Sequence, residues 1–264
     1  MKKILSQVIS IWNYIDGNNF LAVIVSGIFL FIAENQNSNI IFISPQNPQA
    51  DFPVKTDESL ISYKYFNFLI AFIPLLTFLI IKIIQYFFPF KLKPFNVFSV
   101  IWIVSSAQIL TLAISIYFQK FVGWFQPVFY SKCGYNTQFG SCRELKKSHD
   151  DPLSKEENLK YFNSYPSDKV SLAFCSAISI FFIFQKIIDV NFHIEAFLII
   201  PVFFGIFVAA QNVSDHKNHP TDSTFGLFIG FFVSYYILKN KKVYRKDKDH
   251  PKERMFREVP QTVP

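Results

Sequence analysis

Charge is what this chain has least of: only 17% of its 264 residues are Asp, Glu, Lys or Arg, against 51% hydrophobic. That balance argues against an ordinary soluble domain. Cysteine is also scarce, three in all, too few for a disulfide scaffold, and none stands at zinc-type spacing from a histidine, so no metal is expected. Residues 4–15 lack a small-residue cleavage site and are not arginine-rich, which disfavours a secretory signal or a matrix presequence; targeting is expected to be internal. No internal repeat is found. Inside the apolar runs, ionisable residues are almost limited to Lys82 and the edge residues Lys186 and Glu195, so no ion path is visible.

What is present is apolar sequence in long runs, with charge swept into residues 34–65, 119–169 and 239–264. Six membrane spans can be laid down, over 18–34, 67–88, 96–118, 170–186, 194–210 and 223–239. The third carries no charge and is long enough to cross about 30 Å of hydrocarbon at about 1.5 Å per residue. Segments 20–33, 196–210 and 224–238 are shorter and need tilt, flanking residues or neighbours to reach both interfaces. The expected fold is all-α: a polytopic bundle of six transmembrane helices over 18–239, preceded by an interfacial amphipathic helix at 1–17 and followed by a basic tail at 240–264. The interfacial helix is read from Ile4, Val8, Ile9, Trp12 and Ile15 on one face behind Lys2 and Lys3. The 34 Phe and 12 Tyr fit AT-rich codon usage and carry little functional weight.

An even span count puts both termini on one side with Lys91, Lys93 and Lys186, the cytoplasmic face or its equivalent by the positive-inside rule. Loops 35–66, 119–169 and 211–222 fall on the other. The formal charge of +7 does not point to nucleic acid, because the excess sits in the tail, where residues 239–264 hold nine Lys/Arg and four Asp/Glu. Anionic lipid or an acidic neighbouring subunit is the expected partner. Cys133 and Cys142 pair only if their loop faces an oxidising compartment.

Four segments occur in a telling order. They are DESLISYKY at 57–65, GWFQPVFYSKC at 123–133, YPSDKVSLAF at 165–174 and QNVSDHKNHPTD at 211–222. With six spans at matching spacing, the chain resembles the type 2 phosphatidic acid phosphatase superfamily, the lipid phosphate phosphatases, over most of 18–239. The resemblance implies a helical membrane bundle and a chemistry in which one Lys and two Arg hold phosphate, one His attacks, a second His protonates the leaving alkoxide, and an Asp orients the nucleophile.

Carried over position by position, those roles fall on unsuitable residues. Alignment on Gly123 and Pro127 puts Gln119 at the Lys position and Gln126 at the Arg position. Lys120 is one residue off, about 100° around a helix. In the second motif Pro166, Ser167, Asp168 and Lys169 stand for Pro-Ser-Gly-His; a lysine with an ordinary pKa of about 10.4 holds its proton too firmly for general-acid work near neutrality. Asp168–Lys169 reads instead as a helix start. In the third, Asn212 and Asn218 occupy the Arg and nucleophile positions and only Asp222 is retained. His216 and His219 are offset, and Pro220 fixes the backbone beside the latter.

The implied outcome is no catalytic residue, no cofactor, and the loss of a nucleophile, which costs roughly 10⁶ in turnover where measured. The leading expectation is a catalytically inactive relative serving as an accessory subunit of a membrane complex. A mitochondrial inner-membrane respiratory or ATP synthase assembly is expected, with the endoplasmic reticulum or plasma membrane as the alternative. The charged tail, unable to bury enough apolar surface alone to offset about 1–2 kcal/mol per ordered residue, is expected to be ordered by a partner. Two other readings remain: a phospholipid-binding protein using Lys120, Lys169 and Lys217, and a residually active phosphatase.

Overall fold

A computed structural model describes residues 7, 12–13, 16–39, 48–50, 63–87, 95–129, 163–187 and 199–239. The interfacial helix (apart from residues 7, 12–13 and 16–17), the Cys133–Cys142 loop and the tail at 240–264 lie outside them. Among the described residues, six α-helices make up the bundle: α1 Gly17–Asn35, α2 Tyr63–Phe87, α3 Val97–Val122, α4 Asp168–Ile187, α5 Ile200–Ser214 and α6 Pro220–Lys239. A short 3-10 turn, Pro48–Ala50, precedes α2. Helices α1, α3, α4 and α6 are long and apolar enough to cross a membrane. Helix α5, with 15 residues, rises about 22 Å and reaches both interfaces only with tilt or help from its neighbours. The described residues are all-helical, and the apolar helices are those of an integral membrane protein.

The distribution of side chains is inverted relative to a soluble bundle. Large apolar residues face outward, Ile28 and Phe31 on α1, Phe72 and Leu76 on α2, Phe203 and Phe207 on α5, Phe228 and Phe232 on α6, while Ser106, Gln108, Thr111, Ser115, Ser171, Ser176, Ser179 and Ser234 are buried. Lipid is as apolar as leucine, so burial of Leu or Phe gives little transfer energy here; close packing and hydrogen bonds between helices hold the bundle together. Helix α4 is its hub, packed by α2, α3, α5 and α6, and α1 stands against α3. Toward the end that carries the α1 and α3 N-termini, Phe78, Ile81, Val100, Ile103, Val104, Ile183, Ile187 and Leu238 form an apolar cluster.

One polar link repairs a defect written in the sequence. Pro74 lies inside α2 and has no N–H to donate, so the Ile70 carbonyl loses its partner within the helix. Ser176 Oγ of α4 donates to that carbonyl at 3.1 Å and accepts from Gln108 Nε2 of α3 at 2.9 Å. Three helices are thereby tied at membrane depth, where an unsatisfied carbonyl finds no water. We expect Ser176→Ala to lower stability by about 1–3 kcal/mol, the cost of an orphaned buried group. Pro74→Ala in the same chain restores the missing N–H and recovers much of the loss, which a double-mutant cycle of melting temperatures in detergent would read directly.

The end of the bundle that carries the α3 N-terminus and the α6 C-terminus is fastened by two lysines that leave the hydrocarbon. Lys82 Nζ donates to Gln85 Oε1 at 2.8 Å and to the Phe95 carbonyl at 3.2 Å, the snorkelling geometry expected of it. Lys186 Nζ donates to the Leu238 carbonyl and, at 3.4 Å, to that of Lys239, closing the C-terminus of α6 with a cation as the helix dipole favours. The Gly226 and Gly230 pair is an internal contact. A Cβ at Gly226 would stand 2.7 Å from the Ser167 carbonyl, and one at Gly230 would meet the backbone of Ser171 and Cys175, so both glycines let α6 lie directly against α4.

Candidate functional site

The site lies at the end of the bundle where α3, α5 finish and α4, α6 begin. Each of these termini is shaped by a local device. Helix α3 runs to Val122 and is stopped by Gly123 at φ 64°, whose N–H donates to the Gln119 carbonyl at 2.9 Å; a left-handed residue at this place is what glycine supplies without strain. Helix α5 ends in a Schellman arrangement: His216 N–H donates to Val213 O and Lys217 N–H to Asn212 O, both at 3.0 Å, with His216 itself at φ 55°. A histidine rather than a glycine bears the left-handed turn. Its place is set by chain reversal.

Helix α6 begins one turn earlier than its apolar run. Pro220 is its first residue, where proline's missing N–H costs nothing. Asp222 stands in that first turn and reaches back, Oδ2 accepting the backbone N–H of His219 at 2.9 Å. This is the half of a capping box that an acid in the third helical position provides. It is the manner in which Asp222 caps α6 from inside the helix.

The same carboxylate is the centre of a buried cluster. Ser164 Oγ donates to Asp222 Oδ2 at 2.5 Å, and Thr221 Oγ1 donates to Oδ1 at 3.2 Å. The Ser167 N–H bonds the Asp222 carbonyl at 3.1 Å. Asn218, the residue that the family resemblance sets at the nucleophile position, uses both ends of its amide: Nδ2 donates to the Ser164 carbonyl at 2.9 Å, and Oδ1 accepts from Ser167 Oγ at 3.1 Å. Gln119 Nε2, on α3, donates to the Pro166 carbonyl at 2.8 Å. Ser164, Ser167 and Asp222 have no solvent exposure. Residues 164–167, which include a cis Tyr165–Pro166 peptide, are therefore held on one side by α3 and on the other by the α5–α6 turn.

Four of the six motif positions, Gln119, Lys169, Asn218 and Asp222, converge on this segment, Lys169 as the buried second residue of α4. Gln126 sits half-buried in the turn after α3, its carbonyl accepting from Phe129 N–H at 3.0 Å. Its neighbour Phe125 supplies the carbonyl that pairs with His219 Nε2 at 3.2 Å and a ring edge-on to the imidazole. Asn212 does not join the cluster: its side chain bonds the Val208 carbonyl one turn back in its own helix at 2.9 Å. Asp168 and Lys169 form the first turn of α4, the helix start read from the sequence.

The three lysines expected to meet lipid phosphate are divided. Lys120 turns away, its Nζ donating to the Glu34 carbonyl at the C-terminus of α1. Lys217 is ion-paired with Asp215 at 3.0 Å and lies close enough to Lys169 for the two charges to repel. Cys133 and Cys142 lie outside the described residues. Among the described residues no group of three His, Cys, Asp or Glu is placed to hold a metal ion.

Beside the cluster an open cleft of about 640 Å³ is lined by Gln49, Val122, Trp124, Tyr165, His219, Pro220, Thr221 and Asp222. Partial burial, then the Asp222 charge, push the Tyr165 phenol above its ordinary pKa, so it remains a protonated donor through the physiological range. Ser164 and Thr221 were not singled out in the sequence, and Ser167 was read only as a position of the second motif. The signal that bears on them is the short polar spacing around Tyr165-Pro166, which carries no periodicity.

A family model described as the PAP2 superfamily matches residues 96–245, more than half of the chain, from the start of α3 to beyond the end of α6. No curated protein and no solved structure matches.

Proposed function

This chain belongs to the PAP2 superfamily, and from that premise we propose that it keeps the lipid-phosphatase-like scaffold as a structural accessory subunit of a larger membrane complex, without the phosphatase reaction. The observation that carries the reading is the state of Asn218. Its amide has no nucleophilic lone pair to offer phosphorus, and both of its ends are already spent on Ser164 and Ser167. Asp222, which would orient a histidine, instead accepts from Ser164, His219 and Thr221. Groups that a phosphatase keeps available for substrate here fasten one loop to the next. Gln119, engaged with Pro166, adds no cation to the place where a dianion would need one.

Two measurements test this. Purified protein in mild detergent should release phosphate from phosphatidate no faster than a heat-inactivated sample. Release that His219→Ala abolishes would establish an active enzyme using an offset histidine. Gentle solubilisation, a native gel and mass spectrometry should place the chain in a species far larger than its own 30.8 kDa; migration as that lone mass would sink the subunit role. We assign the assembly to the mitochondrial inner membrane on compositional grounds alone, and cell fractionation decides between that membrane and the endoplasmic reticulum or plasma membrane.

The second reading, a phospholipid head group bound at the site, is supported by the proximity of Lys169 and Lys217, since an anion between two like charges relieves their repulsion. A phosphate ordered against Lys169 in an experimental map would favour it over the purely structural role.

A further inference from the structure

The cleft beside the Asp222 cluster is lined for a cation rather than for a phosphate. Trp124, Tyr165 and Asp222 are in its wall, and among its described lining residues there is no lysine and no arginine. The cations nearby are engaged elsewhere. Lys120 Nζ donates to the Glu34 carbonyl, Lys217 is paired with Asp215 at 3.0 Å, and Lys169 is buried in the first turn of α4. We propose that this cleft binds a quaternary ammonium group, the trimethylammonium of a choline head group or of a soluble choline compound, against the rings of Trp124 and Tyr165 and in the field of Asp222. The proposal rests on the second reading above, that this end of the bundle holds a head group, and names the part of it that the cleft receives.

The first observation is charge. Asp222 accepts from Ser164 Oγ, Thr221 Oγ1 and the His219 N–H, all neutral donors, and among the described residues no cation pairs with it. A buried carboxylate so placed keeps its charge largely uncompensated. The start of α6 supplies only about half a positive charge, and of the other charged side chains around the starts of α4 and α6, Asp168 and Asp215 stand against Lys169 and Lys217. The balance is negative. Its field reaches the wall of the cleft: after partial burial, the Asp222 charge is what holds the Tyr165 phenol above its ordinary pKa.

The second is the pair of rings. Trp124 and Tyr165 are half-buried, and each is steadied by another ring, Phe125 stacked on Trp124 with centroids 4.8 Å apart and Phe225 at 5.1 Å from Tyr165. Rings fixed in this way attract a cation through their electron-rich faces without any hydrogen bond. The third is the kind of cation the wall admits. Asp222 has no solvent exposure and three donors already upon it, so it acts through its field and not as a ligand atom. A primary ammonium needs acceptors for its three N–H groups, and calcium or magnesium needs about six oxygens in direct contact. A quaternary ammonium needs neither, and Val122 and Pro220, also in the wall, suit its methyl groups. Trp124 stands just beyond the last residue of α3, Val122, the level at which aromatic side chains meet lipid head groups.

Inorganic phosphate, followed by phosphorus NMR, separates this proposal from the reading it rests on. Phosphate binding that Lys217→Ala removes, with no binding of choline, would keep a head-group site and sink the ammonium. Choline binding without phosphate binding would keep the ammonium and sink the phosphate contact at Lys169 and Lys217.

The test uses the full chain in dodecyl maltoside, a detergent without an ammonium group, and saturation-transfer NMR from the protein to the methyl protons of choline chloride. Choline should bind saturably and at least about 5-fold more tightly than its neutral isostere, in which a tert-butyl group replaces the trimethylammonium. Equal binding of the isostere would mark an apolar hollow and overturn the proposal, as would displacement of choline by equimolar ammonium chloride. Trp124→Ala should weaken choline by about 5- to 30-fold, and Asp222→Asn, which keeps an acceptor oxygen while removing the charge, should weaken it several-fold. Unchanged affinity in either variant refutes the site, and should Trp124→Ala not fold, Asp222→Asn and the isostere decide. Nanodiscs then assign the source. A lipid head group in the cleft should abolish, in phosphatidylcholine nanodiscs, the choline signal seen in phosphatidylglycerol nanodiscs; a signal in both supports a soluble choline compound, and a signal in neither counts against the cleft.

Discussion

Gly230→Leu should prevent the chain from reaching its native fold in detergent, and Gly230→Ala alone should lower stability by about 2–3 kcal/mol. A Cβ built on Gly230 lies 2.9 Å from the Cys175 nitrogen and 3.1 Å from Phe174 Cβ, and closer still to the Ser171 carbonyl. These are backbone atoms or atoms next to the backbone of α4, so no rotamer change relieves the overlap and the helices must separate. Separation breaks the 3.1 Å hydrogen bond from Ser234 Oγ to the Cys175 carbonyl and loosens the packing at Gly226, one turn away. Because the dominant attraction in lipid is close contact, a gap of even a fraction of an ångström forfeits much of it. Gly27→Ala on α1 is the matched control. Nothing lies within 4 Å of its added methyl, and alanine's better helix propensity should leave stability unchanged or raised by up to about 1 kcal/mol. Equal melting temperatures for the two alanine variants would show that α4 and α6 do not pack as described.

Gly226 and Gly230 stand four positions apart, a small-xxx-small spacing that marks close helix packing, but the residues alone do not say whether the partner helix belongs to the same chain. The answer depends on which face of α4 is turned inward, and α4 is buried on several faces at once. The helices themselves were legible because long apolar runs must satisfy their own backbone in lipid. Their ends were not. Apolar runs stop where water begins, whereas the helices continue through polar residues that serve their own termini. Helix α3 extends past Phe118 to Val122, where Gly123 stops it, and Lys120 in that last turn bonds the Glu34 carbonyl. Helix α5 runs through Asn212, whose amide folds back on Val208, to the turn at His216. Helix α6 starts at Pro220 because Asp222 caps it from within.

At the candidate site the motif positions were legible by resemblance, and their convergence follows from an up-and-down bundle that returns α3, α4, α5 and α6 to one end. What the motifs could not reveal is the direction each side chain takes. Gln119 and Lys120 are adjacent in sequence, yet one bonds Pro166 inside the cluster and the other bonds Glu34 outside it, as the rotation between successive helical positions demands. Ser164 escaped notice for another reason. Its bonds to residues 218 and 222 cross more than fifty positions, and a serine in a loop leaves no pattern that points to so distant a partner.

Asp222 gives the sharpest separation between a clasp and a catalytic remnant. Asp222→Ala removes the acceptor of Ser164 Oγ and of the His219 N–H in a place without solvent exposure. Each orphaned donor costs about 1–3 kcal/mol, so the expected loss is roughly 3–5 kcal/mol, enough to endanger folding of a marginally stable domain. Asp222→Asn is the informative variant. Both strong bonds fall on the same oxygen, Oδ2, and the amide carbonyl can take that place while its nitrogen turns toward Thr221 Oγ1, now as donor. The asparagine variant should therefore melt within about 1–2 kcal/mol of the parent, the difference reflecting the weaker neutral acceptor. An acid whose business is to orient or polarise a neighbouring imidazole also keeps the fold as asparagine, but it loses turnover by orders of magnitude. Thermal melts of the parent, Asn and Ala proteins, run beside phosphate release from phosphatidate, read both quantities on the same samples. A large stability gap between Asn and Ala with no turnover in any of the three fits a carboxylate that serves as the rivet between the 164–167 segment and the start of α6. Turnover in the parent that vanishes in the asparagine protein, with its melting temperature intact, would instead make Asp222 part of a working site.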